Sequence, residues 1–187
     1  MPTTTTIILV VIALAVLWIV ASYNRLITLT NHAKEAWADI AVQLKRRYDL
    51  IPNLVETVKG YAAHESSAFE NVTKARSAAM GATSTADKVE AENQLTGALK
   101  TLFAVSEAYP DLKANQNFLQ LQKELGDTED KIQAARRFYN TTVMTLNIAL
   151  QSFPNNIVGS SFGFKQMDLF ELTAADAAAA EPVKVQF

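Results

Sequence analysis

An uncharged apolar segment near the amino terminus constrains this chain more than any other feature. Residues 7–21 read IILVVIALAVLWIVA, and no charged side chain precedes Arg25. With the four threonines before it and Ser22 after it, the uncharged stretch reaches about 20 residues, the length of helix that crosses roughly 30 Å of hydrocarbon. The sequence therefore predicts a transmembrane anchor in residues 1–22.

A cleaved signal peptide is the alternative interpretation of this segment, because Val20, Ala21 and Ser22 are small enough to lie near a cleavage site. However, no Lys or Arg precedes the apolar run, and the run is long for a secretory signal. Trp18 and Tyr23 also lie near its end, where aromatic rings prefer the lipid headgroups. These features favour a retained anchor.

The charges on the two sides of the predicted span indicate its orientation. No Lys or Arg precedes the span, whereas Arg25 and Lys34 follow it closely and residues 45–47 (KRR) lie further on. Basic residues are enriched on the cytoplasmic side of a span. We therefore expect a single-pass membrane protein, with its amino terminus outside and its carboxy-terminal domain in the cytoplasm.

Beyond the anchor, apolar residues recur at a spacing of seven, which is typical of packed helices. The first series predicts one long helix from Tyr23 to Tyr61, continuous with the membrane helix. The second predicts a helix of similar length that ends at Phe153-Pro154. The two seams consist of Trp37, Leu44, Ile51 and Val58, and of Phe118, Leu125, Ile132, Tyr139, Leu146 and Phe153.

Two shorter helices are predicted between the seams, one capped by Ser66 or Ser67 and one over residues 86–108. Residues 80–87 between them and residues 155–164 after the second seam are expected to be loops. The predicted fold is all-α: a single transmembrane helix continuous with an antiparallel up-and-down bundle of long helices over residues 23–172. Residues 173–187 are expected to form an Ala-rich flexible tail.

Composition argues against several function classes. The 187 residues include 17 Lys or Arg and 19 Asp or Glu, so a net charge of -2 provides no general basic field for nucleic acid. The chain has no Cys and two His, and neither His32 nor His64 has a Glu three residues before it, as di-metal helical bundles require. We therefore expect no catalytic residue, no cofactor and no metal.

Two groups of charges are candidates for structural pairing. The basic cluster at residues 45–47 is predicted to be a solvated or salt-bridged helix face, with Asp39 and Asp49 as candidate partners. Glu129 and Arg136 are seven residues apart and flank the second seam. Both are expected to pair with charges on the first long helix and so to set the register between the helices.

The last residues offer a candidate docking peptide. Val183, Val185 and Phe187 alternate with polar residues, as in a strand that adds to the edge of a sheet. A partner with a PDZ-like groove could capture such a segment, whereas the plainer interpretation is a solvated end.

Several blocks of the sequence resemble the LemA family of bacterial membrane proteins. The first block is VQLKRRYDLIPNLV at residues 42–55, preceded by Ala36-Trp37 and followed by KGY at 59–61. The second is AYPDLKA at residues 108–114, followed by Asn117-Phe118 and Tyr139-Asn140. With the span, the resemblance covers roughly residues 1 to 172. It implies a single amino-terminal span and a helical-bundle domain, and it implies no catalytic residue.

These observations favour a non-catalytic scaffold or adaptor. We expect a membrane-anchored helical protein that acts at the cytoplasmic face and assembles as a homo-oligomer through its long seams. The alternative is a regulatory accessory or sensor of a membrane protein complex such as a membrane protease, with the tail as its docking peptide. An enzyme or metal protein ranks last because the chain contains so few groups that support such chemistry.

Overall fold

A computed structural model describes residues 2–170, and every regular element in that range is a helix. The prediction of an all-α fold is therefore confirmed. The six helices are α1 (Pro2–Lys59), α2 (Ser66–Gly81), α3 (Thr85–Glu107), α4 (Pro110–Lys113), α5 (Gln116–Gln151) and α6 (Asn155–Ser161).

The first helix contains both the apolar segment and the first amphipathic seam. α1 extends over 58 residues without interruption, and it passes through Pro52. It ends one residue before Gly60, whose missing Cβ and large backbone freedom disfavour a helix interior. The predicted continuity between the membrane helix and the first long helix is therefore present.

Short polar side chains determine where two of the later helices begin. Ser84 precedes α3, and its Oγ accepts a hydrogen bond from the backbone N–H of Asp87 at 3.1 Å. Before α5, the Oδ1 of Asn115 accepts from the N–H of Phe118 at 3.1 Å. Both contacts satisfy a backbone donor that the first turn leaves unpaired.

The sequence predictions were wrong at two helix ends. The residue before α2 is Glu65, which makes no side-chain capping hydrogen bond, so the predicted cap by Ser66 or Ser67 is absent. Residues 155–164 were expected to be a loop, but residues 155–161 form α6. A helix of seven residues is too short to show an apolar period in the sequence.

The chain divides into two compact units, and α1 and α5 contribute to both. The anchor unit comprises the residues up to Asp39 together with Arg137–Leu169. The central unit comprises Ile40–Arg136 together with Phe170. Each unit is described separately below.

In the anchor unit, α1 packs against α5 and α6. Its core contains Leu26, Ala149 and Val158, with half-buried apolar neighbours including Leu150. Further along α1, the Trp37 ring lies 5.3 Å from the ring of Tyr139. Because the later residue of α1 meets the earlier residue of α5, the two helices are antiparallel in this unit.

In the central unit, α1, α2, α3 and α5 form a helical bundle with a shared apolar core. Arg76 Nε of α2 donates to the backbone oxygen of Tyr48, 11 residues before the end of α1, at 2.8 Å, while Lys59 at the end of α1 lies over the Phe69 ring. These contacts make α1 and α2 antiparallel. The largest fully buried apolar side chains in this unit are Ile40, Leu44, Ile51, Leu54, Leu95, Leu102, Leu112, Phe118 and Phe170.

Candidate functional site

A buried ion-pair cluster lies at the centre of the bundle in the central unit. The side chain of Arg47 on α1 is 3 % exposed, and its Nη2 donates to Oε2 of Glu92 on α3. Its Nη1 lies 2.6 Å from Oε2 of Glu129 on α5 and 3.3 Å from the Thr96 hydroxyl. One guanidinium therefore joins three helices.

Tyr48 extends this cluster on the next residue of α1. Its hydroxyl donates to the other carboxylate oxygen, Oε1, of Glu92. Burial raises the pKa of the Tyr48 phenol, and the positive charge of Arg47 lowers it by less, so the net shift is upward. Glu92 thus accepts hydrogen bonds through both oxygens, which offsets much of the cost of burying its charge.

Lys88 closes one side of the cluster. Its Nζ lies 5.7 Å from the centre of the Tyr48 ring and donates to the backbone oxygen of Ala79 at 2.8 Å. Burial lowers the pKa of the Lys88 ammonium. This lysine therefore contacts the aromatic face of Tyr48 and the last turns of α2 rather than a carboxylate.

The chemistry of this cluster suits a structural role. Arg47 donates to Glu92 and Glu129, and Tyr48 donates to Glu92, so the four side chains form one hydrogen-bonded network. A buried ion pair adds little net stability over apolar packing, but the loss of one partner leaves an uncompensated buried charge, which is strongly destabilising. Residues 2–170 contain no group of three or more His, Asp or Glu side chains placed to hold a metal ion.

The predicted basic cluster at residues 45–47 separates into two kinds of side chain. Lys45 Nζ lies 3.6 Å from Asp49 Oδ2, and both side chains are well exposed, as expected for a solvated face. Arg46 is also exposed. Arg47 is salt-bridged but buried, so the solvated alternative was wrong for this residue, and its partners are Glu92 and Glu129 in place of Asp39 or Asp49.

The sequence contained a signal for both buried charges. Arg47 falls in the apolar series Leu44, Ile51 and Leu54 at spacings of three and four residues. Glu92 lies three residues before Leu95 and seven before Leu99 on α3. A charge at a core position of the heptad pattern predicts an inward side chain that needs an opposite charge.

The two charged residues that flank the second seam make different contacts. Glu129 contacts Arg47 on the first long helix, which is the kind of pairing expected for it. Arg136 places its guanidinium 4.6 Å from the centre of the Phe170 ring. Arginine favours such stacking because its guanidinium is planar and weakly hydrated.

Most residues of the two predicted seams are buried. On α1, Trp37 is half-buried, and on both helices the following members are almost fully covered: Leu44, Ile51, Val58, Phe118, Leu125, Ile132, Tyr139 and Leu146. Phe153 is the exception, because α5 ends at Gln151 and the Phe153 side chain is 80 % exposed. The second seam therefore ends at Leu146, and including Phe153 in it was wrong.

Polar contacts hold the segment after α6 onto α5 in the anchor unit. The Tyr139 hydroxyl donates to the backbone oxygen of Asp168 at 2.9 Å, and burial raises the pKa of that phenol, with the charge of Asp168 adding to the shift. The Asn147 amide accepts from the N–H of Met167 and donates to its carbonyl oxygen. This segment is therefore part of the folded anchor unit.

The anchor unit also presents a long uncharged surface. No charged residue occurs between Phe138 and Phe164, a stretch that includes the second half of α5 and all of α6. We call the outward side of α5 in this stretch the α5 face, defined by Phe138, Met144 and Ile148, which are 57 %, 51 % and 57 % exposed. Exposed threonines at positions 141 and 145 lie between them.

A surface groove runs along α2 in the central unit. It measures about 720 Å³ and is lined by Lys59, Ala63, Ser66, Phe69, Glu70, Thr73, Lys74 and Ser77. The Lys59 ammonium lies over the Phe69 ring and pairs with Glu56 at 3.1 Å. Neither the charges nor the shape of this shallow groove selects a ligand.

The remaining predicted sites lie either on the surface or outside the described residues. His32 Nδ1 lies 3.5 Å from Glu35 on an exposed face of α1, and His64 is exposed after the end of α1. The candidate docking residues Val183, Val185 and Phe187 lie outside the described residues. The regulatory-accessory alternative, which depends on them, stays a prediction.

The apolar segment of α1 has the properties of a membrane span. α1 is the one helix of the described chain that is long and apolar enough to cross a bilayer. Every large apolar side chain from Ile7 to Val20 is at least 38 % exposed, so none of them is buried within the described protein. Such a surface is stable when lipid covers it.

Comparison with known proteins agrees with this picture. The family model described as "LemA family" matches residues 36–187. Protein LemA of Metamycoplasma hominis is 28 % identical over 166 residues, covering 87 % of this chain and 72 % of that protein.

Two magnetosome proteins are similar as well. Magnetosome protein MamQ of Magnetospirillum gryphiswaldense is 25 % identical over 174 residues, covering 79 % of this chain and 64 % of that protein. Magnetosome protein MamQ 2 of Paramagnetospirillum magneticum is 25 % identical over 175 residues, with 80 % and 64 % covered. The chain thus spans 64 % of the length of these MamQ proteins.

Proposed function

Because this chain belongs to the LemA family, is helical and carries a membrane helix, we propose that it is a non-catalytic, membrane-anchored scaffold that assembles with copies of itself. The observation that carries this proposal is the α5 face. Its three large apolar side chains are more than half exposed, and the surrounding segment carries no charge.

Attachment to one membrane favours a second copy as the occupant of the α5 face. In the anchor unit, residues next to the two ends of the α5 face contact α1. Tyr139, which follows Phe138, contacts Trp37, and Ala149, which follows Ile148, packs with Leu26. Leu26 lies four residues beyond Ser22, and Trp37 lies 15 residues beyond it. At about 1.5 Å per residue, the α5 face therefore extends from some 6 Å to some 22 Å beyond the end of the span, measured along α1.

Copies anchored in the same bilayer therefore present this face at the same height. A closed dimer uses the same patch on both partners, and here two identical faces can meet without tilting either span. The absence of charge removes the repulsion that like charges would create when identical surfaces meet. Anchoring also confines the copies to two dimensions, which raises their effective concentration.

We further propose that the domain lies at the cytoplasmic face of a bacterial inner membrane. Arg25 and Lys34 are exposed on α1 within about 12 residues of the end of the span, the range in which basic residues influence orientation. Protease added outside intact cells should then leave the domain intact. Cleavage after residue 30 under those conditions would overturn this orientation.

The test of self-assembly is the mass of the full-length protein in detergent, measured by multi-angle light scattering with the detergent contribution subtracted. We expect a multiple of the 20.5 kDa chain mass. The double variant Phe138→Ser, Ile148→Ser should have the mass of one chain, because it removes two large apolar contacts from the face. Leu119→Ser is the matched control, since Leu119 is 47 % exposed on the same helix but lies in the central unit.

Two outcomes would contradict the proposal, one for self-assembly and one for the role of the α5 face. A wild-type protein that remains a single chain at concentrations in the tens of micromolar would refute the self-assembling scaffold. If the double variant assembles as well as wild type, assembly does not use the α5 face. Circular dichroism at 222 nm checks that the variants keep their helices.

A further inference from the structure

We propose that the α5–α6 corner, defined as residues 152–164, inserts its exposed apolar side chains into the boundary between headgroups and acyl chains of the bilayer that α1 crosses. The surface that the corner is proposed to contact is an anionic lipid bilayer. This inference rests on α1 being a membrane span, and it is independent of self-assembly.

The first argument is the position of the corner beside the end of the span. The ring of Tyr23, the first residue after the predicted anchor, lies 5.0 Å from the ring of Phe162 and 5.6 Å from that of Phe164, in edge contacts. Leu26, one turn further along α1, packs with Val158 of α6. The chain from Val158 to Phe162 therefore runs toward the membrane end of α1.

The second argument is that α6 is held closely against α1 and α5. A Cβ built on Gly159 would lie 2.9 Å from Leu150 Cδ2 and 3.8 Å from Leu26 Cδ1. Only a residue without a side chain allows this approach without moving Leu150. The corner is thus fixed at the level of Tyr23 and Leu26 by packing inside the anchor unit.

The third argument is the kind of surface that the corner exposes. The side chains of Phe153, Ile157 and Phe162 are 80 %, 55 % and 57 % exposed. Three large apolar side chains are therefore exposed within one short corner, and exposed apolar side chains gathered in this way mark an interaction surface. A helix lying in the membrane interface buries such side chains about 5–10 Å deep, and aromatic rings are favoured there.

The fourth argument is charge, and it selects a bilayer as the occupant. No Asp or Glu occurs in residues 1–34 or in residues 131–167, which together contain the span, the corner and the helices around them. The basic residues Arg25 and Lys165 are exposed on either side of the Tyr23 contacts. A surface without carboxylates beside exposed cations is attracted to anionic headgroups.

The experiment uses the absence of Cys from the chain, which makes any introduced cysteine the only labelling site. Ile157→Cys in the full-length protein is labelled with an environment-sensitive NBD fluorophore and reconstituted at one chain per nanodisc, in an equal mixture of phosphatidylcholine and phosphatidylglycerol. Quenching is measured with a nitroxide attached high on the acyl chain and, separately, with aqueous iodide. The matched control is Val42→Cys, at a 63 % exposed position on α1, 20 residues beyond Ser22.

We expect the lipid nitroxide to quench the label at residue 157 about threefold more than the label at residue 42. Aqueous iodide should quench the label at residue 42 more than the label at residue 157. Emission at residue 157 should also be shifted to the blue, and the difference should shrink in phosphatidylcholine alone. Equal accessibility to iodide at the two positions would overturn the proposal.

A second outcome would overturn it in a different way. If the label at residue 157 is shielded only when several chains share a nanodisc, and the lipid nitroxide does not quench it, a second copy covers the corner instead of lipid. Conversely, a monomeric protein that still shows lipid quenching would refute the self-assembling scaffold and support membrane insertion of the corner.

Discussion

Nη1 of Arg47 on α1 lies 2.6 Å from Oε2 of Glu129 on α5, although 82 residues separate the two along the chain. The Arg47 side chain is 3 % exposed and that of Glu129 is 33 % exposed, so the pair extends from the core toward the surface. Glu92 on α3 contacts the same guanidinium from within the core. This pairing joins the two long helices and α3 in a single register.

Replacing Arg47 should destabilise the central unit strongly. Arg47→Met retains most of the side-chain volume but leaves the Glu92 carboxylate buried without its cation, which costs about 3–5 kcal/mol in comparable cases. The measurement is the free energy of unfolding by denaturant, followed by circular dichroism of the full-length protein in detergent. The control Arg46→Met makes the same exchange at an exposed neighbour and should change that free energy by less than about 0.5 kcal/mol. Equal losses in the two variants would contradict the buried ion pair.

Alanine should have opposite effects at two glycines. Gly159→Ala places a methyl group 2.9 Å from Leu150 Cδ2, so the leucine must move. Overpacking of this kind costs about 1–3 kcal/mol, which exceeds the roughly 0.5–1 kcal/mol that alanine gains over glycine inside α6, so we expect a net loss of about 1 kcal/mol. In the interior of α5, Gly126 has no atom within 4 Å of a built Cβ. Gly126→Ala should therefore stabilise the protein by roughly 0.5–1 kcal/mol, since alanine favours helix.

Thermal unfolding compares these two variants directly. The midpoint should fall for Gly159→Ala and rise for Gly126→Ala. A rise in both would mean that Leu150 adjusts without cost and that α6 is not closely packed on the anchor unit.

The Tyr139 hydroxyl should contribute to holding residues 165–170 onto α5. Tyr139→Phe removes the 2.9 Å hydrogen bond to the Asp168 carbonyl and should cost about 1 kcal/mol, while the ring contact with Trp37 persists. The readout is hydrogen exchange at the backbone amides of residues 165–170, which should become faster. The control is Tyr61→Phe, because Tyr61 is 42 % exposed and its hydroxyl accepts from Asn115 at the surface. Unchanged exchange in Tyr139→Phe would argue against this tie.

Stability should fall at alkaline pH because two buried phenols retain their protons in the folded protein. Burial raises the pKa of Tyr48 and Tyr139 above the ordinary value of 10.0. Above pH 10.0 the unfolded chain loses these protons first, so the stabilisation is complete below that pH and is lost as pH rises through the folded pKa values. Lys88 acts in the opposite direction below 10.5, because its lowered pKa makes stability rise with pH until the unfolded lysine also loses its proton.

The loss of stability at alkaline pH is measured as the change in the free energy of unfolding between pH 9 and 11. The slope with pH should be smaller in Tyr139→Phe than in wild type, because one of the buried phenols that contribute to it is gone. An identical slope in the two proteins would exclude Tyr139 as a source of the pH dependence.

Much of the secondary structure follows from local pattern. The sequence predicted α1 and α5 to within a few residues of their ends, because long apolar periods identify both helices and because Gly60 and Pro154 disfavour their continuation. It missed α6, which has too few residues to show a period. It also placed Phe153 in the second seam, because the spacing of seven continues in the sequence one step beyond the end of the helix.

The candidate site residues were harder to predict from the local sequence pattern. Arg47 lies within a basic run of three, and the sequence predicted a solvated or salt-bridged helix face for all of them. Its position in the series Leu44, Ile51 and Leu54 was the stronger signal, because helix geometry and not charge decides which way a side chain points. The partner Glu92 lies 45 residues away on another helix, so no local pattern could identify the pair.

By itself, the sequence determined that this protein is helical, that its first helix can cross a membrane and that two heptad seams line its long helices. These properties depend on the order of apolar and polar residues along one helix, which is a local quantity. The tertiary structure decided which charged side chain is buried, which carboxylates meet it and which apolar residues remain uncovered on α5 and at the α5–α6 corner. Those outcomes depend on distances between helices that are far apart in the chain, and such distances are set only when the helices pack.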